Sequence, residues 1–141
     1  MLHSLIQIDT AGPAFHEFTD RLSEWLRDNA VQDGVLTLMV RHTSCSLLIQ
    51  ENADPDVQVD LLNWLDRIAP QADHPDMRWI VHRHEGPDDM PAHLKSAVLP
   101  TSLQVPVIGG RMALGRWQGV YLVEHRHAPH RRQVVAAFIP G

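Results

Sequence analysis

Residues 102–139 constrain the fold most, because they hold a series of apolar, β-branched runs joined by turns too short to contain a crossover helix. Strands joined that closely run antiparallel. Residues 102–108 lead through Gly109-Gly110 into residues 111–114, and a glycine pair between apolar runs is a hairpin signal. A long strand is expected over residues 115–126, with Ala128-Pro129-His130 turning it into residues 133–139 in a continuing meander. Pro106 marks its strand as an edge or a bulge.

The first half mixes strands with helices. Residues 2–8 read as a strand and residues 9–13 as a turn. Phe15, Phe18, Leu22, Trp25 and Leu26 recur at helical spacing, with charged residues between them, so a helix packed on a sheet is expected there. Residues 35–40 read as a buried strand. Asp54 as a cap and Pro55 at the first helical position start a second helix running to about Ile68, with Val57, Leu61, Trp64, Leu65 and Ile68 on one face and Pro70 beyond its end. A short strand over residues 78–82 and a third helix opening at Pro91 complete the reading. The expected fold is a single α+β domain over residues 1–141, mostly antiparallel β-sheet or sandwich with about three helices packed on it.

Composition narrows the function classes. One cysteine in 141 residues excludes an internal disulfide, so the fold rests on packing. A formal charge of −5 argues against a nucleic-acid binder, and no apolar run is long enough to cross a bilayer as a helix, so a soluble, cytoplasmic protein is expected. Residues 1–70 carry 11 acids against 4 arginines, whereas residues 71–141 carry 6 acids against 7 arginines and Lys95. Positive charge thus collects in the second half, where a small anionic ligand could be held.

Chemistry-bearing residues concentrate in two patches. The first, residues 42–56, places His42, Thr43, Ser44, Cys45, Ser46, Glu51 and Asn52 between a strand and a helix cap, side chains that bind a metal or phosphate or move a proton, or simply fold a polar turn. The second, residues 82–93, holds His82, His84, Glu85, Asp88, Asp89 and His93, with His93 expected in the first turn of a helix. Asp88 and Asp89 suit magnesium, the orienting of a ligating histidine, or a turn. His125 arrives at a strand end, as His42 does. These three histidines, each at the end of a regular element, are expected to converge on one open site for a zinc-like ion, with His82, His84 and His127 in reserve.

Four linked motifs then stand in order through nearly the whole chain: residues 42–46 with 51–55, residues 88–93, residues 115–119 and residues 124–126. In these the chain resembles the YjbQ family. The resemblance implies a small α+β protein that forms homotrimers and acts as a secondary thiamine-phosphate synthase, joining a hydroxymethylpyrimidine diphosphate to a thiazole phosphate with release of pyrophosphate. It implies a histidine-lined cavity in which metals have been proposed, and His42, His93 and His125 are expected to hold a divalent metal or the anionic end of a substrate there. Glu51, Asp89 and Glu124 would take catalytic roles, and Thr43, Ser44, Asn52, Asp88, Lys95, Gln118 and Arg126 would bind substrate. The chain departs from the family pattern at Arg116, where threonine is usual, and at Cys45, where alanine is usual, so a shared catalytic cysteine is not implied. No glycine-rich phosphate loop is present. Two other classes stay open: a metal-dependent hydrolase with the three histidines as ligands and Glu51 or Glu124 as base, and a non-enzymatic trimer that binds a small phosphorylated metabolite.

Overall fold

The computed structural model describes residues 1–141. Two antiparallel sheets face each other. The larger has the order β1-β8-β3-β5-β6, formed by β1 (Leu2–Thr10), β8 (His130–Pro140), β3 (Gly34–Val40), β5 (Ser102–Ile108) and β6 (Arg111–Met112). The smaller is β2-β7-β4, formed by β2 (Ala14–Glu17), β7 (Gln118–Glu124) and β4 (Cys45–Glu51). Helices α1 (Thr19–Asp28), α2 (Pro55–Ile68) and α3 (Asp89–Val98) complete the α+β domain.

The core lies between the sheets. Period-two alternation sends Ile6 and Ile8 of β1, Leu36 and Leu38 of β3, and Val134, Ala136 and Phe138 of β8 inward, where they meet Leu47 of β4 and Val120 and Leu122 of β7. Phe18, Leu22 and Leu26 bring α1 into the same cluster. Truncating a fully buried member such as Leu38 to alanine would cost about 2–5 kcal/mol. Gly34 belongs to this packing, because a Cβ there would collide with the Ile139 carbonyl oxygen and lie 2.6 Å from the Phe138 ring. The hairpin between β5 and β6 turns on Gly109 and Gly110, at φ +59° and +80°, where other residues are strained.

Helix α2 has the expected bounds. Asp54 caps it by accepting the Asp56 N–H at 2.9 Å, and Pro55 follows. On its expected apolar face Leu65 is buried and Val57 and Leu61 are half-buried, while Trp64 and Ile68 are exposed.

Several expectations are corrected. Phe15 lies in β2, where its ring meets Tyr121 edge-on, and the helix begins only at Thr19. Residues 45–51 form strand β4 in place of a polar turn, since Leu47 and Ile49 pack on the core while pairing with β7. Residues 78–82 make no strand. Arg83 organises this stretch instead, its guanidinium donating to the carbonyl oxygens of Ala72, Met77 and Ile80 at 2.7–3.0 Å. The meander is interrupted as well. β7 and β8 pair in different sheets, because the turn between them crosses the sandwich. Finally, α3 begins at Asp89, which moves His93 into the second turn.

Candidate functional site

One loop and one helix start assemble the densest group of metal-capable side chains. Asp89 and His93 stand four residues apart on α3, hence on one face, and the loop before the helix folds His82 and Glu85 against them. One ligand atom from each of His82, Glu85, Asp89 and His93 lies within 4.8 Å of every other. No other group of three or more such side chains in the chain is this close. Asp89 is the centre: His82 Nε2 donates to its Oδ2 at 2.8 Å and His93 Nε2 lies 3.3 Å from the same oxygen. Glu85 sits at the open rim, its carboxylate 3.6 Å from His82 Nε2. The His82 ring also packs edge-on against the rings of His84 and His93.

Arg126 fixes this centre from behind. Its Nη1 donates to Asp89 Oδ1 at 2.6 Å, its Nε to Asp88 Oδ2 at 3.0 Å and its Nη2 to the Glu85 carbonyl at 3.2 Å. Asp88 also accepts the His127 N–H at 2.9 Å. Burial pushes the Asp89 carboxyl up, but the hydrogen bond from His82, the neighbouring Glu85 and the charges of His93 and Arg126 hold it below the ordinary range. Asp88 is likewise low, burial being outweighed by the His127 N–H and Arg126. Both acids are ionised, and Asp89 alone has an oxygen turned toward the histidines.

Glu124 anchors the strand end that carries Arg126. It is fully buried and ionised, its carboxyl held low against burial by Arg132 and Thr10. Oε1 accepts from Arg132 Nε at 2.7 Å and from the Thr10 hydroxyl, and Oε2 accepts from Arg132 Nη2 at 2.6 Å. The backbone N–H groups of His125 and Arg126 complete Oε2 at 3.0 and 3.1 Å. With its lone pairs committed, Glu124 is a positioning residue and the catalytic role expected of it has no free oxygen to act through.

The other expected residues disperse. His42 accepts the Gln133 N–H at Nε2, 2.8 Å away, and burial, with Arg132 beside it, lowers its imidazole pKa. His125 is nearly fully buried, bonds Ser46 Oγ at 2.9 Å, and is pushed down to about 4 by burial and by the nearby Lys95 charge. The expected convergence of His42, His93 and His125 is therefore corrected: His93 joins His82, while the other two rings bond the sheets. Ser44 accepts from Arg132 Nη2 at 3.0 Å, and Thr43 lies exposed on the same loop. Glu51 accepts the Ala53 and Asp54 N–H groups at 2.9 and 2.8 Å, tying the entry of α2. Since β4 runs from Cys45 to Glu51, Glu51 stands about 20 Å from the His42 end of that strand. Asn52 Nδ2 and Gln118 belong to that far end too, the former donating to the Gln118 carbonyl at 3.4 Å. Cys45 is buried, its thiol pushed up to about 12 by burial, and is inert.

Two residues of this arrangement carried no role in the sequence reading. Glu85 completes the metal-capable group and Arg132 holds Glu124. The i, i+4 spacing of Asp89 and His93 on a helix was the available signal for the first. Nothing local marked Arg132.

The donor set fits a divalent transition ion. Two imidazoles with one or two carboxylates suit zinc or a similar metal, whereas magnesium favours an all-oxygen shell. The Arg126 contacts supply the outer hydrogen bonding that orients a carboxylate ligand.

Comparison with known proteins bears on the whole chain. A family model described as UPF0047 protein YjbQ-like matches residues 4–141. UPF0047 protein sll1880 of Synechocystis sp. is 45% identical over 131 residues, covering 93% of this chain and 86% of its own. UPF0047 protein YjbQ of Salmonella typhimurium is 42% identical over 123 residues, covering 86% of each. Among solved structures, the conserved hypothetical protein TT1486 from Thermus thermophilus superposes with a TM-score of 0.82 at 34% identity, covering 96% of this chain and 99% of that one.

Proposed function

The chain belongs to the UPF0047 YjbQ-like family, and from that premise we propose that it is a divalent-metal-dependent enzyme acting on a small phosphorylated metabolite, with a thiamine-phosphate-synthase-like transfer as its reaction. The observation that carries this reading is the His82, Glu85, Asp89, His93 group, whose ligand atoms lie within 4.8 Å of one another beside a paired arginine. The particular reaction comes from the motif resemblance. A homotrimeric assembly and a cytoplasmic setting belong to the same proposal, and no helix of the chain is long and apolar enough to cross a membrane.

His82, Asp89 and His93 would hold the ion, with Glu85 at the rim. When bound it supplies positive charge to a departing diphosphate. The chain's own part is positional. Arg126 keeps Asp89 ionised and turned toward the histidines, Asp88 keeps Arg126 in place, and Glu124 fixes the backbone from which Arg126 extends. A hydrolase built on His42, His93 and His125 loses support, since His42 and His125 stand outside the ligand group. The test is turnover: chelator-stripped protein is given zinc, manganese or magnesium with the pyrimidine diphosphate and thiazole phosphate, and pyrophosphate release is followed. Metal-restored release that is lost in Asp89→Asn supports the reading, and no release with any of the ions contradicts the assigned reaction.

A further inference from the structure

A second feature lies on the other side of the His125-Arg126 strand end. A cavity of about 280 Å³ opens there, lined by Leu62, Leu65 and Asp66 of α2, Lys95 of α3, and Glu124 and His125. It is at the small end of the range of about 300–1,000 Å³ seen for ligand pockets.

Lys95 is buried, which is unusual for an ammonium group, and it has three N–H donors. One of these donates to Asp66 Oδ1 at 2.7 Å, and no other hydrogen bond is made. The pair is lopsided: the Lys95 side chain is 5% exposed and that of Asp66 is 65% exposed. Asp66 can therefore rehydrate when it lets go, whereas Lys95 needs an anionic partner in place. The adjoining carboxylate of Glu124 cannot serve, because Arg132, Thr10 and two backbone N–H groups already occupy it.

His125 adds a second donor. Ser46 is fully buried and its hydroxyl has one partner, His125 Nε2 at 2.9 Å. In the tautomer in which that hydroxyl donates, the ring proton sits on Nδ1, an N–H with no partner in the protein. The cavity thus combines an ammonium with spare donors, a neutral imidazole N–H and an apolar wall from Leu62 and Leu65.

We propose that this cavity is a receptor for the phosphate of a small phosphorylated metabolite, with Lys95 Nζ and His125 Nδ1 as donors and Asp66 as a carboxylate that the phosphate displaces. This deepens the functional reading above by naming a substrate group held away from the metal ligands, and the two are tested apart because phosphate binding is measured without metal.

Chelator-stripped protein is titrated calorimetrically with inorganic phosphate and with phenyl phosphate, and sodium acetate forms a control arm. The expected result is saturable binding of both phosphates, tighter for phenyl phosphate because its ring meets the leucine wall. Binding is expected to be several-fold tighter in Asp66→Asn, which removes the competing carboxylate, and weaker by roughly an order of magnitude or more in Lys95→Met. The exposed position of Asp66 keeps the test decisive even if Lys95→Met fails to fold. Unchanged or weaker phosphate binding in Asp66→Asn, or acetate binding as tight as phosphate, overturns the proposal. Intact metal-free phosphate binding with no pyrophosphate release on addition of any of the ions would instead count against the proposed reaction alone.

Discussion

Arg126 Nη1 donates to Asp89 Oδ1 at 2.6 Å, and this single bond leaves Asp89 Oδ2 as the oxygen that faces His82 and His93. A residue delivered by β7 thereby sets the orientation of a ligand delivered by α3. The site depends on that link between the small sheet and the helix layer.

Replacing Arg126 with methionine should loosen the site without removing a ligand. Outer partners of metal ligands typically contribute about 10–100-fold in affinity. Equilibrium dialysis against zinc should show a loss of that order, with the fold intact by circular dichroism. Unchanged affinity would mean that Asp89 is oriented by the histidines alone.

The buried Arg132–Glu124 pair should show the asymmetry of such pairs. Glu124→Gln leaves the Arg132 guanidinium buried and uncompensated, at a cost of about 3–5 kcal/mol. The urea midpoint reads this directly. A shift worth less than about 1 kcal/mol would contradict a buried guanidinium left without its partner.

Stability should also depend on pH through His125. Its ordinary value of 6.5 falls to about 4 in the folded chain, so between those values the unfolded chain binds the proton and the folded chain does not. Stability is therefore full above about pH 6.5 and declines toward pH 4, by about 3 kcal/mol from this group. Below pH 4 the low carboxyls of Asp88, Asp89 and Glu124 add their own losses as they protonate. Urea midpoints measured across pH 4–7 should slope for the wild type and flatten for His125→Gln. Parallel slopes would contradict the assignment.

The assembly expectation has its own measurement. Leu5, Met39, Val35 and Ile139 lie exposed on the outer face of the large sheet, and Trp64 and Ile68 on α2. Cross-strand register places Leu5, Val135 and Met39 side by side there. Light scattering at micromolar concentration should give three times the 15.9 kDa of one chain. A monomer mass would contradict the proposed trimer.

What was legible in the sequence follows from where local signals are strong. Helix α2 could be bounded to the residue because Asp54-Pro55 opens it and Pro70 closes the helical pattern, both being backbone constraints. The β5–β6 hairpin was equally open to reading from its glycine pair. Strand β4 was hidden, because Ser46, Gln50 and Glu51 stand in it beside its apolar residues, Ser46 being fully buried, and tertiary context overrode composition. At the site, Asp88, Asp89, His93 and Arg126 stood in visible motifs. The error lay in the partners assigned to His93. Its neighbour His82 comes from a loop shaped by Arg83 bonding to three carbonyls, a path with no period to read, whereas His42 and His125 looked similar only in ending strands.

The most direct measurement is the metal content of purified variants after zinc loading and dialysis. The site as described predicts about one zinc per chain in the wild type and in His42→Ala, and little or none in His82→Ala, His93→Ala or Asp89→Asn. Retention of zinc by the His82 and His93 variants, or its loss from His42→Ala with the fold intact, would contradict the central claim that His82, Asp89 and His93 form the metal centre.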